Sequence, residues 1–329
     1  MKIRNLNLLL TYKCPSQCRH CAYYAGLDGS GLMTAQDVKG YLKDLEDHPL
    51  ESLWIYGGEP FLYFSVLTEV IKIAQRRQIP QIGVLTNSYW AAKPKKGKKR
   101  LSFLKQAGLS DIIISTGGFH AERILPELAI NGIRSALQVG FETVTASVSF
   151  LSPRQTSNLF NDRSEEIWAL LREIPGVALY ENPVTMIGRA AERLLDYCQL
   201  RKIRPSKTCQ PPDYIGGSIN QPEGLEIDPD GWVMICPGFS LGNAQKRGLA
   251  ALLDKYENSD NSLWHVICQE GPAGLLQRAR HEGYADRTQY ASDCHLCYEV
   301  RKFLRNYYPE QLSPAQCYAE PRRNKKKSR

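Results

Sequence analysis

Short apolar runs and helix-period segments alternate through the first two-thirds of the chain. Residues 7–11 are apolar and strand-like, and the character returns at 53–56 ("LWIY"), 82–86 ("IGVLT"), 111–115 ("DIIIS"), 143–150 ("TVTASVSF") and 177–184 ("VALYENPV"). Thr34 stands where an N-cap is expected, with Asp37 in the first turn, and Val38, Tyr41, Leu42 and Leu45 recur at helical spacing. Further helices are expected over 66–74, over 101–107 up to Gly108, through Ile133 and Leu137 to Gly140, and over 165–172. Six βα units with near-continuous apolar strands predict an α/β fold, a parallel sheet covered by helices. Such a sheet can curl into a partial (βα)6 barrel, with chemistry at the C-terminal ends of its strands.

The pattern changes after about residue 200. "CQPPDYIGGSINQPEG" is rich in Pro and Gly, and "GLEIDPDGWVMIC" reads as a hairpin with a "DPDG" turn between two short strands. From residue 261 the spacing is helical again, and no internal repeat is present. A length of 329 residues with 43% apolar composition suits one large domain with an appendage, or two modest ones. The expected division is 1–200, 201–318 and a basic, disordered tail over 319–329. The apolar run at 3–10 is short and broken by Arg4, Asn5 and Asn7. It suits neither a signal peptide nor a membrane span, so a cytoplasmic protein without membrane contact is expected.

The formal charge of +8 is uneven. Lys93, Lys95, Lys96, Lys98, Lys99 and Arg100 form one run; Arg322, Arg323, Lys325, Lys326, Lys327 and Arg329 form another. Without those twelve the chain carries 8 − 12 = −4. The two runs read first as a solvated loop and a tail. Contact with an acidic peptide or a nucleic acid is the alternative, and the acidic remainder disfavours nucleic acid.

Ten cysteines are too many to be incidental in a cytosolic chain, and metal is the first assignment. Cys14, Cys18 and Cys21 fall within eight residues just after the first strand. Cys209, Cys236, Cys294 and Cys297 form a second candidate group, and Cys198, Cys268 and Cys317 stand alone. Four thiolates close a zinc or iron site. Three leave a position open, as in an iron–sulfur cubane with one iron free to bind something else.

"CPSQCRHC" is Cys-x3-Cys-x2-Cys, and "GGEP" (Gly57, Gly58, Glu59, Pro60) follows the second strand. In this pair of motifs, over roughly residues 3–200, the chain resembles the radical S-adenosylmethionine (radical SAM) enzymes. The resemblance implies a [4Fe–4S] cluster on Cys14, Cys18 and Cys21 that binds SAM at its unique iron. It places Gly57 and Gly58 where backbone approaches the methionine part of SAM. Glu59 would buttress that loop or hold the SAM ammonium. His20, where relatives often carry an aromatic residue, would pack near the adenine, a surface histidine being the alternative. Asn87 matches a Thr-Asn after the third strand, and Ser115 half of a Ser-x-Asp after the fourth, with Gly117 in place of the acid. His120 is a substrate group or an ordinary helix-start residue. Arg189 in "GRA" after the sixth strand pairs with a carboxylate or makes a surface ion pair.

The second cysteine group, with Gly231 five residues before Cys236, resembles the auxiliary-cluster domain called twitch, a shortened relative of SPASM. It implies one auxiliary [4Fe–4S] cluster on Cys209, Cys236, Cys294 and Cys297, with structural zinc as the competing assignment. Cys198, Cys268 and Cys317 are inert buried thiols, or one of them is a hydrogen-atom donor or alternative ligand. The expected function is SAM cleavage to a 5′-deoxyadenosyl radical and modification of a peptide by crosslinking or epimerisation, with flavodoxin or ferredoxin as electron donor. Because the first strand starts at once, no peptide-recognition domain is expected ahead of residue 3, which favours the alternative of a small-molecule dehydrogenase or rearrangement enzyme. A non-catalytic iron–sulfur sensor or scaffold is the reading from another class.

Overall fold

Five apolar segments form parallel strands, each followed by a helix whose apolar stripe covers one sheet face, and the more exposed ALYENP segment adds a sixth parallel strand. The computed structural model describes residues 2–257 and 262–319. The strands are β1 (Asn5–Leu9), β2 (Ser52–Tyr56), β3 (Gln81–Thr86), β4 (Asp111–Thr116), β5 (Thr143–Phe150) and β6 (Ala178–Pro183). The helices of this part are α1 (Ala35–Asp44), α2 (Phe64–Arg76), α3 (Pro94–Gln106), α4 (Gly118–Ala121), α5 (Pro126–Val139), α6 (Leu159–Arg172) and α7 (Arg189–Arg193). Thr34 caps α1 in a full capping box with Asp37. Gly140 ends α5 in the left-handed conformation.

The C-terminal part adds β7 (Gly224–Ile227), β8 (Trp232–Cys236) and β9 (Phe239–Asn243), then α8 (Ala244–Arg247), α9 (Leu249–Glu257), α10 (Leu263–His281) and α11 (Asp293–Leu304). The expected β7–β8 hairpin is present. Its place was not legible from local pattern: β7 lies parallel to β1, giving one open nine-stranded sheet ordered β6-β5-β4-β3-β2-β1-β7-β8-β9. The sheet is a mixed α/β sheet of the partial-barrel kind and does not close on itself.

The two sheet faces differ. Leu6 and Leu8 of β1, Leu53 and Ile55 of β2, Ile112 and Ile114 of β4 and Val144 and Val148 of β5 join the helix-covered core. Register puts Asn7 between Trp54 and Glu226 on the other face, and Ser115 beside Ser147. The strands are therefore not apolar throughout. Their alternate positions carry polar groups, which the near-continuous reading of the sequence overlooked.

The first basic run departs from expectation. It is solvated but helical, because Pro94 starts α3 and the run fills its first two turns. Gly97 packs on Trp90 there, and Leu101 and Leu104 are buried. The second run, at 322–329, lies outside the described residues. No helix among the described residues is long and apolar enough to cross a membrane.

Thr34→Ala removes the α1 cap and is expected to lower stability by about 1 kcal/mol. A urea midpoint unchanged from wild type would show that the capping box contributes nothing.

Candidate active site

The strand C-termini carry the motif residues. After β1 the chain runs through Cys14, Cys18 and Cys21 and is pinned to itself: Cys14 N donates to Gly26 O at 2.9 Å, and Gly26 N to Tyr12 O at 3.2 Å. Tyr12 also donates to buried Asp228 of the "DPDG" turn at 2.6 Å, tying this loop to the C-terminal hairpin. Polar groups face the sulfurs. Ser16 N lies 3.4 Å and Asn87 Nδ2 3.5 Å from Cys14 Sγ, and Ser16 Oγ lies 3.0 Å from Cys18 Sγ. Burial pushes the Cys14 thiol well up, with the Glu59 charge adding to the effect. It pushes Cys18 up to about 12 despite the Ser16 contact. Both thiols are buried, so without a cation they stay protonated.

The Gly57–Gly58–Glu59 loop after β2 docks on this segment through backbone. Gly58 N donates to Thr11 O at 2.6 Å and Glu59 N to Lys13 O at 2.9 Å. A Cβ at Gly58 would fall 2.1 Å from Lys13 O, and one at Gly57, whose φ is +145°, 2.6 Å from Thr11 O. Close approach to the cysteine loop therefore requires both glycines. Glu59 is fully buried and accepts from Phe61 N at 3.0 Å, Thr86 Oγ1 at 2.8 Å and Asn87 N at 2.8 Å. Burial outweighs these donors and lifts its carboxyl to about 7. Of its two expected roles, this geometry matches the buttress. Pro60 begins the one-turn helix Pro60–Tyr63.

Arg189 is not a surface residue. Its side chain is buried, donating from Nη1 to Cys18 O at 2.9 Å and from Nη2 to Ala25 O at 3.0 Å, while its backbone N donates to Cys21 O at 3.0 Å. The surface ion pair is excluded by this burial, and Arg189 acts as a strut of the cysteine loop. Ser115 is half-buried at the end of β4. Gly117 has φ +113°, and a Cβ there would meet Ser164 Oγ at 3.0 Å, which accounts for the departure from Ser-x-Asp. His20 is not a free surface residue: its ring lies 4.8 Å from Phe119 and 5.0 Å from His120, and its Nδ1 is buried without a partner. His120 sits in the first turn of α4, also with a buried, unpartnered Nδ1.

The second thiol group converges from distant segments. Cys209 is electrostatically coupled to Cys236, Cys297 and Cys294, and Cys294 to Cys236 and Cys297. Burial pushes Cys236 up to about 11; Cys294, an exposed residue, is also raised, by partial desolvation of its thiol and by the neighbouring Cys236 and Cys297. A kink at Gly271 in α10 brings the two ends together. Its Cβ would lie 2.5 Å from Lys207 C, Ala273 N donates to Ser206 O at 3.0 Å, and Ser206 N to Asp293 Oδ1 at 3.2 Å. The sequence reading missed Arg301, which is buried, hydrogen-bonded to Pro237 O at 3.0 Å and lies near Cys236 and Cys297. An arginine within one turn of a Cys-x2-Cys was its only signal. Among the described residues no three His, Cys, Asp or Glu side chains close around a single metal ion. A cubane does not need that, because each thiolate meets its own iron.

The three single cysteines separate. Cys198 Sγ lies 3.8 Å from Met186 Sδ, and Cys268 Sγ 3.5 Å from Ile219 O. Cys317 is buried and coupled to Cys236, Glu226 and Arg301, beside the second group.

The sequence profile of the Radical SAM superfamily matches residues 8–174. The GTP 3′,8-cyclase of Pasteurella multocida is 28% identical over 149 residues, 42% of each chain. That of Aquifex aeolicus is 27% identical over 125 residues, 37% of each. The chain thus spans about two-fifths of the length of these curated relatives. The solved structure "Native anSMEcpe with bound AdoMet" superposes with a TM-score of 0.55 at 11% identity, over 93% of this chain and 97% of that one. A second structure of that protein, with AdoMet and the Cp18Cys peptide, gives 0.53 at 12% over 94% and 98%. These structural likenesses establish the fold.

Glu59→Gln places an amide NH2 against one of three donors and is expected to lower stability by roughly 1–3 kcal/mol at pH 8, by denaturant titration. Because the folded carboxyl is raised from 4.5 to about 7, its contribution is full below pH 4.5 and is lost as pH rises through 7. The glutamine variant should show a shallower fall across that window; an identical slope would contradict the assignment.

Proposed function

The chain belongs to the Radical SAM superfamily, and on that premise we propose that Cys14, Cys18 and Cys21 hold the [4Fe–4S] cluster at which S-adenosylmethionine is bound and cleaved. When bound, the cluster and SAM together supply a 5′-deoxyadenosyl radical that takes a hydrogen atom from substrate. The observation that carries this is the trio of thiols on one loop, with Cys14 and Cys18 buried and N–H or O–H groups facing both sulfurs. Donors aimed at sulfur stabilise metal-bound thiolates.

The chain's own residues then have distinct tasks. Arg189 fixes the carbonyls of Cys18 and Ala25, so the three thiols keep one arrangement. Glu59 locks the loops after β2 and β3 to each other. The helix-covered core behind the sheet holds the strand ends in fixed register.

Cys209, Cys236, Cys294 and Cys297 are proposed to hold one auxiliary [4Fe–4S] cluster in a C-terminal part spanning 201–318, with buried Arg301 as its counter-charge. The mutual proximity of four thiols supports this reading over isolated buried cysteines. The electron for SAM cleavage would come from flavodoxin or ferredoxin. A peptide is the substrate class we favour, because the peptide-bound neighbour corresponds over nearly the whole chain. The cyclase match covers about two-fifths of either chain, and GTP is therefore the second candidate.

Anaerobically reconstituted protein is expected to hold about eight irons, four per cubane. Cys294→Ala with Cys297→Ala should lose about half; retained zinc with about four irons in the wild type would remove the auxiliary cluster. With a strong reductant, wild type should form 5′-deoxyadenosine and Cys18→Ala none. A Cys18→Ala protein as active as wild type would overturn the assignment.

A further inference from the structure

A carboxylate outside all the motifs lies near Cys236 and is held by tyrosines that neighbour Cys21 and Gly57 in sequence. Glu226, in the apolar strand "GLEI", is 1% exposed and points to the same sheet face as Asn7 and Trp54. Tyr23, two residues after Cys21, donates to Glu226 Oε2 at 2.6 Å. Tyr56, immediately before Gly57, makes a close hydrogen bond to the same oxygen. Tyr214 adds a third hydroxyl 3.4 Å from that of Tyr23. The rings stand around the carboxylate, with centroids 6.4 Å apart for Tyr23 and Tyr56 and 6.3 Å for Tyr56 and Tyr214. Glu226 also lies near Cys236.

The other oxygen, Oε1, is buried and has no donor within hydrogen-bond distance among the described residues, although Tyr214 stands beside the same carboxylate. No cation of the protein pairs with Glu226 among the described residues. A bare buried carboxylate oxygen is strongly disfavoured, and native structures supply such an atom with a donor. A buried anion with one oxygen free of donors is suited to a charged N–H donor. One free oxygen, rather than a free pair, matches a point-charge donor better than the two-point N–H edge of guanine. Tyr214 is 40% exposed, so the group borders solvent on that side.

We propose that Glu226, framed by Tyr23, Tyr56 and Tyr214, is a substrate-recognition site for an alkylammonium group, placing that end of the substrate near Cys236. This rests on the radical SAM reading above and adds to it the charge of the substrate. A lysine side chain or the amino terminus of a peptide carries such a group.

The test uses the anaerobically reconstituted full chain with saturating SAM, so that the amino group of SAM is already housed. n-Butylammonium, n-butanol and guanosine are titrated by calorimetry. The ammonium should bind at least about tenfold tighter than either neutral probe, and Glu226→Gln should remove that preference. Equal binding of alcohol and ammonium, as expected if water alone serves Oε1, would overturn the proposal. So would a preference for guanosine, or a folded Glu226→Gln protein that still prefers ammonium. If the glutamine variant does not fold, Glu226→Asp, which keeps the charge but draws the oxygen back, should weaken ammonium binding; unchanged binding there overturns the proposal equally. 5′-Deoxyadenosine formation by the same wild-type preparation reports separately on the underlying reading.

Discussion

Burying thiols and a carboxylate together is the constraint on which the rest depends. Cys14, Cys18 and Glu59 share one water-poor pocket at the sheet edge, and burial pushes the proton affinity of each upward. Such a pocket cannot hold several anions without a cation. The protein supplies one, Arg189, but places it on the carbonyls of Cys18 and Ala25. The sulfurs themselves are left to N–H and O–H donors of Ser16 and Asn87. A metal cluster would resolve the arrangement, because thiolates bound to iron no longer need protons.

The sheet gives this pocket its place. One face is sealed by helices, and the other carries Asn7, Glu226, Ser115 and Ser147 in register. β7 joins β1 directly, so the polar face continues from the first cysteine loop toward Cys236. Cys236 of the second thiol group, far from the first cysteine loop in sequence, thereby comes near the tyrosine-framed carboxylate, one of whose tyrosines follows Cys21 by two residues.

Much of this was legible in the sequence where the signal is local. Six strands, the α1 capping box, the αL glycine after α5 and the hairpin all follow from spacing, caps and turns within a few residues. The cysteine triplet and "GGEP" were legible because their spacing is itself the chemistry. What escaped depends on distance. The β1–β7 pairing joins Asn5 to Gly224, and nothing near either residue announces it. The strut role of Arg189 was not legible because its partners are carbonyls of another loop. Arg301 and Glu226 carry no motif, and a charged residue in an apolar context was the only trace. The helix over the basic run was missed because charge dominated the reading, while Pro94, Gly97, Leu101 and Leu104 set the backbone.

The central claim is that three thiols leave one iron open to SAM. It is tested most directly by the EPR spectrum of the dithionite-reduced protein carrying Cys294→Ala and Cys297→Ala, which isolates the cluster on Cys14, Cys18 and Cys21. Adding SAM should change that spectrum, because the ligand meets the open iron. A cluster signal that SAM leaves unaltered would contradict the account.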